Sequence, residues 1–228
     1  MTAGDALRPI EFLPQSIAAI SEQKKPPEIA GIVDILKNWY QHERMRRAEE
    51  LFLKPRTINA QTFYSQGANI FPKEVFGYLD ERFTSFDYGV ELLVAGVDST
   101  GAHIYSVHNP GVAGCWDSLG FHAIGVGQMH AVQAFVAERY DAACSLVECM
   151  YVVYEAKRVA EAAPGVGTDT DMYVIIDGKA LSVSQDNVNK LAQVYGDVTE
   201  PRKQEIQKAL EQLEPEQSDD KREDHNAS

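Results

Sequence analysis

The chain has 228 residues, 44% of them hydrophobic, with a formal net charge of -13 and a pI near 4.9. That length and apolar content suit one domain with a sizeable core. So acidic a chain repels phosphate backbones, which argues against nucleic-acid binding. Its longest apolar runs, such as Leu92–Val97, are far too short to span a bilayer. The N-terminus lacks a basic stretch followed by an apolar one, so no secretory signal is read. Three cysteines, Cys115, Cys144 and Cys149, suit reduced thiols in a cytoplasmic protein better than a disulfide framework.

In chain order, residues 1–8 read as a flexible terminus. Ile10–Pro14 and Ser16–Ile20 read as two short strands around a turn at Pro14-Gln15. Pro26-Pro27 ends a polar connector. Ile29, Ile32, Val33, Leu36 and Tyr40 then recur at helical spacing, and the later half of that helix, Glu43–Glu50, is highly charged. A second helical region spans about Asn59–Arg82, which Pro72 should kink or split. Val90–Asp98, a turn at Ser99-Thr100-Gly101, His103–His108, a turn at Asn109-Pro110-Gly111, and His122–Gly127 read as three strands in hairpin order feeding a helix. That helix runs to about Glu138, and another from Asp141 to Glu161. The loop Ala163–Gly167 stops it. Strands at Met172–Ile176 and Leu181–Ser184 follow. Two final helices are expected, Asp186–Tyr195 and Pro201–Leu213. Glu214–Ser228 is an acidic tail with too little to bury, read as disordered. Strands and helices come in separate groups, which predicts an α+β fold over residues 9–213.

This order and the local wording resemble proteasome β-type subunits, which have an N-terminal-nucleophile hydrolase fold. The resemblance rests on Ile10–Ile20, Ile29–Leu53, Leu92–Tyr105, Ala123–Gly127 with Ala131–Phe135, and Glu161–Ile175. It implies a four-layer αββα sandwich, truncated at the N-terminus. It also implies closed rings of like or unlike subunits around a proteolytic chamber, and a polypeptide substrate. In the family an N-terminal threonine attacks the peptide carbonyl and its own α-amine is the base. The hairpin that carries it has no counterpart before Leu7. Where the family's glycine step has serine, this chain has Val126, which can neither donate nor accept a hydrogen bond. The family's later aspartate and serine fall at Glu161 and Pro164. The expectation is therefore a proteasome-like subunit of a threonine-peptidase family that does not itself cleave, with no catalytic, cofactor or metal residues. Two alternatives are a binding module reusing the fold and a piece of an active peptidase whose start lies upstream. Thr2, exposed by removal of Met1, is the one candidate nucleophile.

His103 and His108 lie on opposite faces of a strand, and with His122 and His130 they read as ordinary surface or core residues. Cys144 and Cys149, five apart on one helix, would face different directions, and zinc is not expected. Gly125 and Gly127 match half of a dinucleotide fingerprint, but His130 occupies the third glycine's place and close packing explains them equally. Arg44, Arg46, Arg47, Lys54 and Arg56 form a basic band. It is either balanced by Glu43, Glu49 and Glu50 or turned toward an acidic neighbouring subunit. Asp169 and Asp171, with Thr168 and Thr170, are too few to specify a cation site. A sandwich without its first hairpin leaves open strand edges that Met1–Arg8, a partner or aggregation must cover.

Overall fold

The computed structural model describes residues 2–4, 8–23, 27–138, 140–141, 143–176 and 178–211, with Thr2 and residues 8–12 described as backbone alone. Two compact units divide the chain, Met1–Val183 and Ser184–Ser228. The acidic tail expected from Glu214 lies outside the described residues.

The first unit opens with a short strand, β1 (Thr2–Gly4), and a helix, α1 (Arg8–Ser21). The helix replaces the two strands expected there. Leu13, Ser16 and Ile20 are its inward residues, a spacing of three and four that only a helix brings to one face, while Pro14 sits on the exposed side. α2 (Ile29–Phe52) is the long helix that the apolar stripe predicts. Pro72 does split the next region, into α3 (Ala60–Ile70) and α4 (Lys73–Thr84), with Asn59 capping α3 through Thr62 N at 2.8 Å.

β1, β2 (Val90–Asp98), β3 (Gly101–His108) and β4 (Val112–Cys115) form one antiparallel sheet in that order. The third strand of the hairpin series is therefore Val112–Cys115, not His122–Gly127. The tight turn at Asn109–Gly111 returns the chain at once into pairing, with Gly111 N donating to His108 O at 2.7 Å. Residues 121–124 run on without a ladder. β1 covers the open edge of β2 over Val90–Leu92, which is one of the three ways of covering it that the sequence left open.

α2 packs on the face of the sheet that carries Val90, Leu92 and Val107. These close a core with Val33, Leu36, Tyr40 and Tyr88. The Tyr40 hydroxyl donates to Val90 O at 2.9 Å, and burial raises its pKa. Its ring meets Tyr88 edge to face, centroids 5.4 Å apart. A second core gathers Ala48, Leu53, Phe63, Leu79 and Phe83 between the charged end of α2, α3 and α4. The basic band is used internally there. Arg44 is buried and donates to Thr84 O (2.6 Å), Phe86 O (3.0 Å) and Asn109 Oδ1 (3.1 Å). Arg46 pairs with Glu43 and Glu50, each at 2.7 Å.

α5 (Gln128–Ala137) and α6 (Leu146–Ala160) form a third core around Ala131, Phe135 and Ala156. α6 begins five residues later than the apolar pattern suggests, because Ser145 and Glu148 make a reciprocal cap that sets its first turn. A two-stranded hairpin, β5 (Tyr173–Ile176) with β6 (Lys179–Ser182), completes this unit. The second unit holds a single helix, α7 (Gln185–Leu210), where two were expected. Pro201 costs it one backbone hydrogen bond but is exposed, and good helix formers follow it. Helices and antiparallel sheets are segregated, as the α+β expectation holds. Among the described residues no helix is long and apolar enough to cross a membrane.

Candidate functional site

The step from the sheet to α5 is the place where the sequence anticipates chemistry. Gly125 has φ +94°, and a Cβ there would lie 3.2 Å from Ala3 Cβ on β1. Gly125 N donates to Glu91 Oε2 at 3.0 Å, which ties the step to β2. Gly127 has no room for a side chain: a Cβ would stand 2.9 Å from Ala160 Cβ and 3.0 Å from Ala160 O. Both glycines thus serve close packing of β1 and of α6. Val126 between them is 75% exposed.

A cleft of about 470 Å³ opens here, lined by Gly4, Asp87, Gly89, Val90, Glu91, His108, Asn109, Gly125 and Val126. Asp87 Oδ1 accepts from Gly89 N at 2.7 Å, and Asn109 Oδ1 accepts from Tyr88 N at 3.4 Å. Gly4, at φ +97°, runs so close to Gly89 O that a Cβ would meet it at 2.1 Å. The described lining side chains offer two carboxylates, one imidazole and one carboxamide. They offer no hydroxyl, thiol or amine to act as a nucleophile. The register pairs Thr2 with Leu92, whereas its neighbour Ala3 is the residue that meets Gly125. Met1 and the Thr2 side chain lie outside the described residues.

The two other positions that matter in the resemblance are otherwise engaged. Glu161 binds the ammonium of Lys157, and its Oε2 lies 2.8 Å from Arg158 Nη1. Lys157 also donates to Thr168 O at 2.6 Å, which places an ammonium at the loop of Asp169 and Asp171. Pro164 lies in the loop that closes α6, beside Ala163, whose N donates to Ala160 O at 3.0 Å. Among the described residues no cluster of His, Cys, Asp and Glu is arranged to hold a metal.

A polar network that sequence reasoning missed lies at the other end of the sheet. His103 Nδ1 is 2.7 Å from Asp117 Oδ2, and its Nε2 is 3.2 Å from Asp98 Oδ1 and 2.7 Å from Thr100 Oγ1. Thr100 Oγ1 donates to Asp98 Oδ1 at 2.7 Å, and Ile29 N at the head of α2 donates to Asp98 Oδ2 at 2.8 Å. The Thr100 hydroxyl hydrogen bond, then the backbone N–H of Ile29 and of Thr100, hold Asp98 well below the usual carboxylate range. Asp117 is lowered first by Ile104 N, then by His103. His103 is raised, chiefly by Asp117. The row of hydroxyl, imidazole and carboxylate is superficially that of a hydrolase triad. It lacks the layout of one, because Nδ1 faces the Asp117 carboxylate while Nε2 faces both Asp98 and Thr100, so neither ring nitrogen is left to serve the hydroxyl alone. Asp98 instead clasps the head of α2 to the β2–β3 turn. The register foretells this grouping once known: Tyr105 faces Cys115, so two residues further His103 meets Asp117.

His122 stacks on Trp116 with centroids 3.9 Å apart, and burial lowers its pKa. The Trp116 indole donates to Ser106 Oγ at 2.9 Å. His108 is exposed at the cleft, on the face opposite His103, as alternation requires. His130 lies in the first turn of α5.

A sheet flanked by a long helix, a glycine step into a helix pair and a closing hairpin make up an α+β arrangement of the proteasome-subunit type. The model of the Proteasome subunit family matches residues 27–175, which is 149 of the 228 residues. The chain belongs to the proteasome subunit family. A comparison with curated proteins gives no match.

Proposed function

We propose that this chain is an assembling subunit of a self-compartmentalised, proteasome-type particle in the cytoplasm and that it does not itself carry the peptide-cleaving step. The observation that carries this reading is the cleft at the glycine step. It is open, but its described walls hold no attacking group, and Val126 stands where a hydroxyl would be needed. Glu161 supports the reading, since its carboxylate is taken up by Lys157 and Arg158, four and three residues before it along the chain. Assembly is supported by the sheet. β1 pairs with β2 only at Val90–Leu92, and the face away from α2 exposes Val97 and Val112. An uncovered strand edge and an apolar face favour association with further copies.

The test joins two measurements on one preparation. Sedimentation velocity across a wide concentration range should show a discrete particle several times the 25.3 kDa chain mass. The same material should leave fluorogenic peptides intact and gain no mass from an epoxyketone probe directed at N-terminal threonine. A monomer at every concentration would defeat the assembly claim and favour a binding module. Probe addition at Thr2 together with peptide hydrolysis would defeat the non-cleaving claim.

A further inference from the structure

The start of α6 brings two cysteines together that the chain had seemed to hold apart. Ser145 is the N-cap: its Oγ accepts from Glu148 N at 3.3 Å, and Glu148 Oε2 accepts from Ser145 N at 2.8 Å. In a capping box of this kind the residue before the cap and the fourth helical residue pack against each other, usually as an apolar pair. Here those two positions are Cys144 and Cys149. Cys144 therefore stands outside the helix, and the angular separation expected for residues five apart on one helix does not apply. Backbone bonds set both residues: Cys144 N donates to Asp141 O at 3.0 Å and Cys149 N donates to Ser145 O at 2.9 Å. The cap thus sets the two thiols as neighbours, close enough that Cys149 adds to burial in raising the pKa of Cys144 and of the Tyr140 hydroxyl. Both cysteines are half-buried, so a small oxidant reaches them.

We propose that Cys144 and Cys149 are a redox modification site, a dithiol that closes reversibly to a disulfide and clamps the first turn of α6. The oxidant is a low-molecular-weight disulfide of the oxidised-glutathione type. One protein thiolate attacks a sulfur of that disulfide, the reagent's S–S bond breaks, and one molecule of thiol leaves. The second protein thiolate attacks the resulting mixed disulfide on the protein sulfur, and a second molecule of thiol leaves. The two protein thiols lose two electrons and two protons, and the reagent disulfide is reduced to two thiols. Burial first, then Cys149 and Glu148, raise the pKa of Cys144. Its thiolate is therefore scarce at neutral pH, and closure accelerates as the solution becomes alkaline. Cys115, on β4 opposite Tyr105, lies outside the pair and serves as the internal control.

The experiment equilibrates the full chain in oxidised and reduced glutathione at several ratios and quenches it in acid. It then reads the intact mass and the peptide map. The expected product is lighter by two hydrogens, with Cys144 linked to Cys149, Cys115 still open to alkylation, and full reversal by dithiothreitol. Cys115→Ser should give the same product. Cys144→Ser should stop at a glutathione adduct on Cys149, because no second thiol remains to expel it. Persistent glutathione adducts on both Cys144 and Cys149 of the unsubstituted chain would overturn the proposal. So would a bond that joins either of them to Cys115.

Discussion

The two faces of the four-stranded sheet are made of similar residues and meet very different surroundings. On one face Val90, Leu92 and Val107 are at most 2% exposed beneath α2. On the other, Val97 is 43% and Val112 50% exposed, with Ala95 and Ala102 open beside them. An ordinary half-solvated sheet alternates apolar and polar residues. β2 reads Val-Glu-Leu-Leu-Val-Ala-Gly-Val-Asp, with only Glu91 and Asp98 charged, and both of these are tied to backbone N–H groups. A strand written this way is suited to cover on both sides. The difference teaches that the helix-side face is where this chain obtains its own stability, while the other face carries apolar residues that α2 does not cover.

The sharpest way to break that comparison is to truncate one residue on each face. Leu92→Ala removes a side chain from a closed core and should cost about 2–5 kcal/mol in urea unfolding. Val97→Ala should fall within about 0.5 kcal/mol of the parent chain when measured on monomer. Equal costs would show that the open face is packed after all. Gly127→Ala comes next. Its new methyl group meets Ala160 Cβ and the rigid Ala160 carbonyl, so overpacking should cost about 1–3 kcal/mol. Ser145→Ala removes the N-cap of α6 and should cost about 1 kcal/mol, with faster amide exchange in the first turn. Loss from Gly127→Ala but none from Ser145→Ala would mean that α6 is held by its far end alone.

The smallest effect is the pH dependence of the clasp at Asp98, His103 and Asp117. His103 is raised in the folded chain, so its contribution is complete below its ordinary value of 6.5 and fades as pH rises through the folded value. Asp98 and Asp117 are lowered, so theirs is complete above 3.8 and fades as pH falls through their folded values. The clasp is therefore strongest between about pH 4 and pH 6.5, and it weakens on the alkaline side first. His103→Gln should flatten the alkaline limb of a stability-versus-pH curve. An unchanged limb would show that the imidazolium contributes nothing. Asp98→Asn should be felt mainly at the head of α2, as faster amide exchange at Ile29, its backbone partner.

Much of the architecture was legible because it depends on short-range rules. The stripe from Ile29 to Tyr40, the break at Pro72 and the turns at Ser99–Gly101 and Asn109–Gly111 all appear where local spacing places them. The errors fell where two local signals competed. Pro14 suggested a turn, but the inward spacing of Leu13, Ser16 and Ile20 prevailed. Pro201 suggested a break, but the helix formers around it continued the helix. The candidate site was legible at Gly125–Gly127 and invisible at His103, whose two acidic partners come from the end of β2 and the turn after β4. The cysteine pair was hidden for the opposite reason: Cys144 stands one residue before the cap of α6, where helical spacing does not hold.

The amino-acid sequence alone determined the α+β class, the family resemblance and the valine at the glycine step, because each depends on residue type and order. Only the tertiary structure decided which face of the sheet α2 covers, that Gly127 must yield to Ala160, and that His103 is held between two carboxylates. Those are contacts between segments distant along the chain, and no local pattern specifies the distance between them.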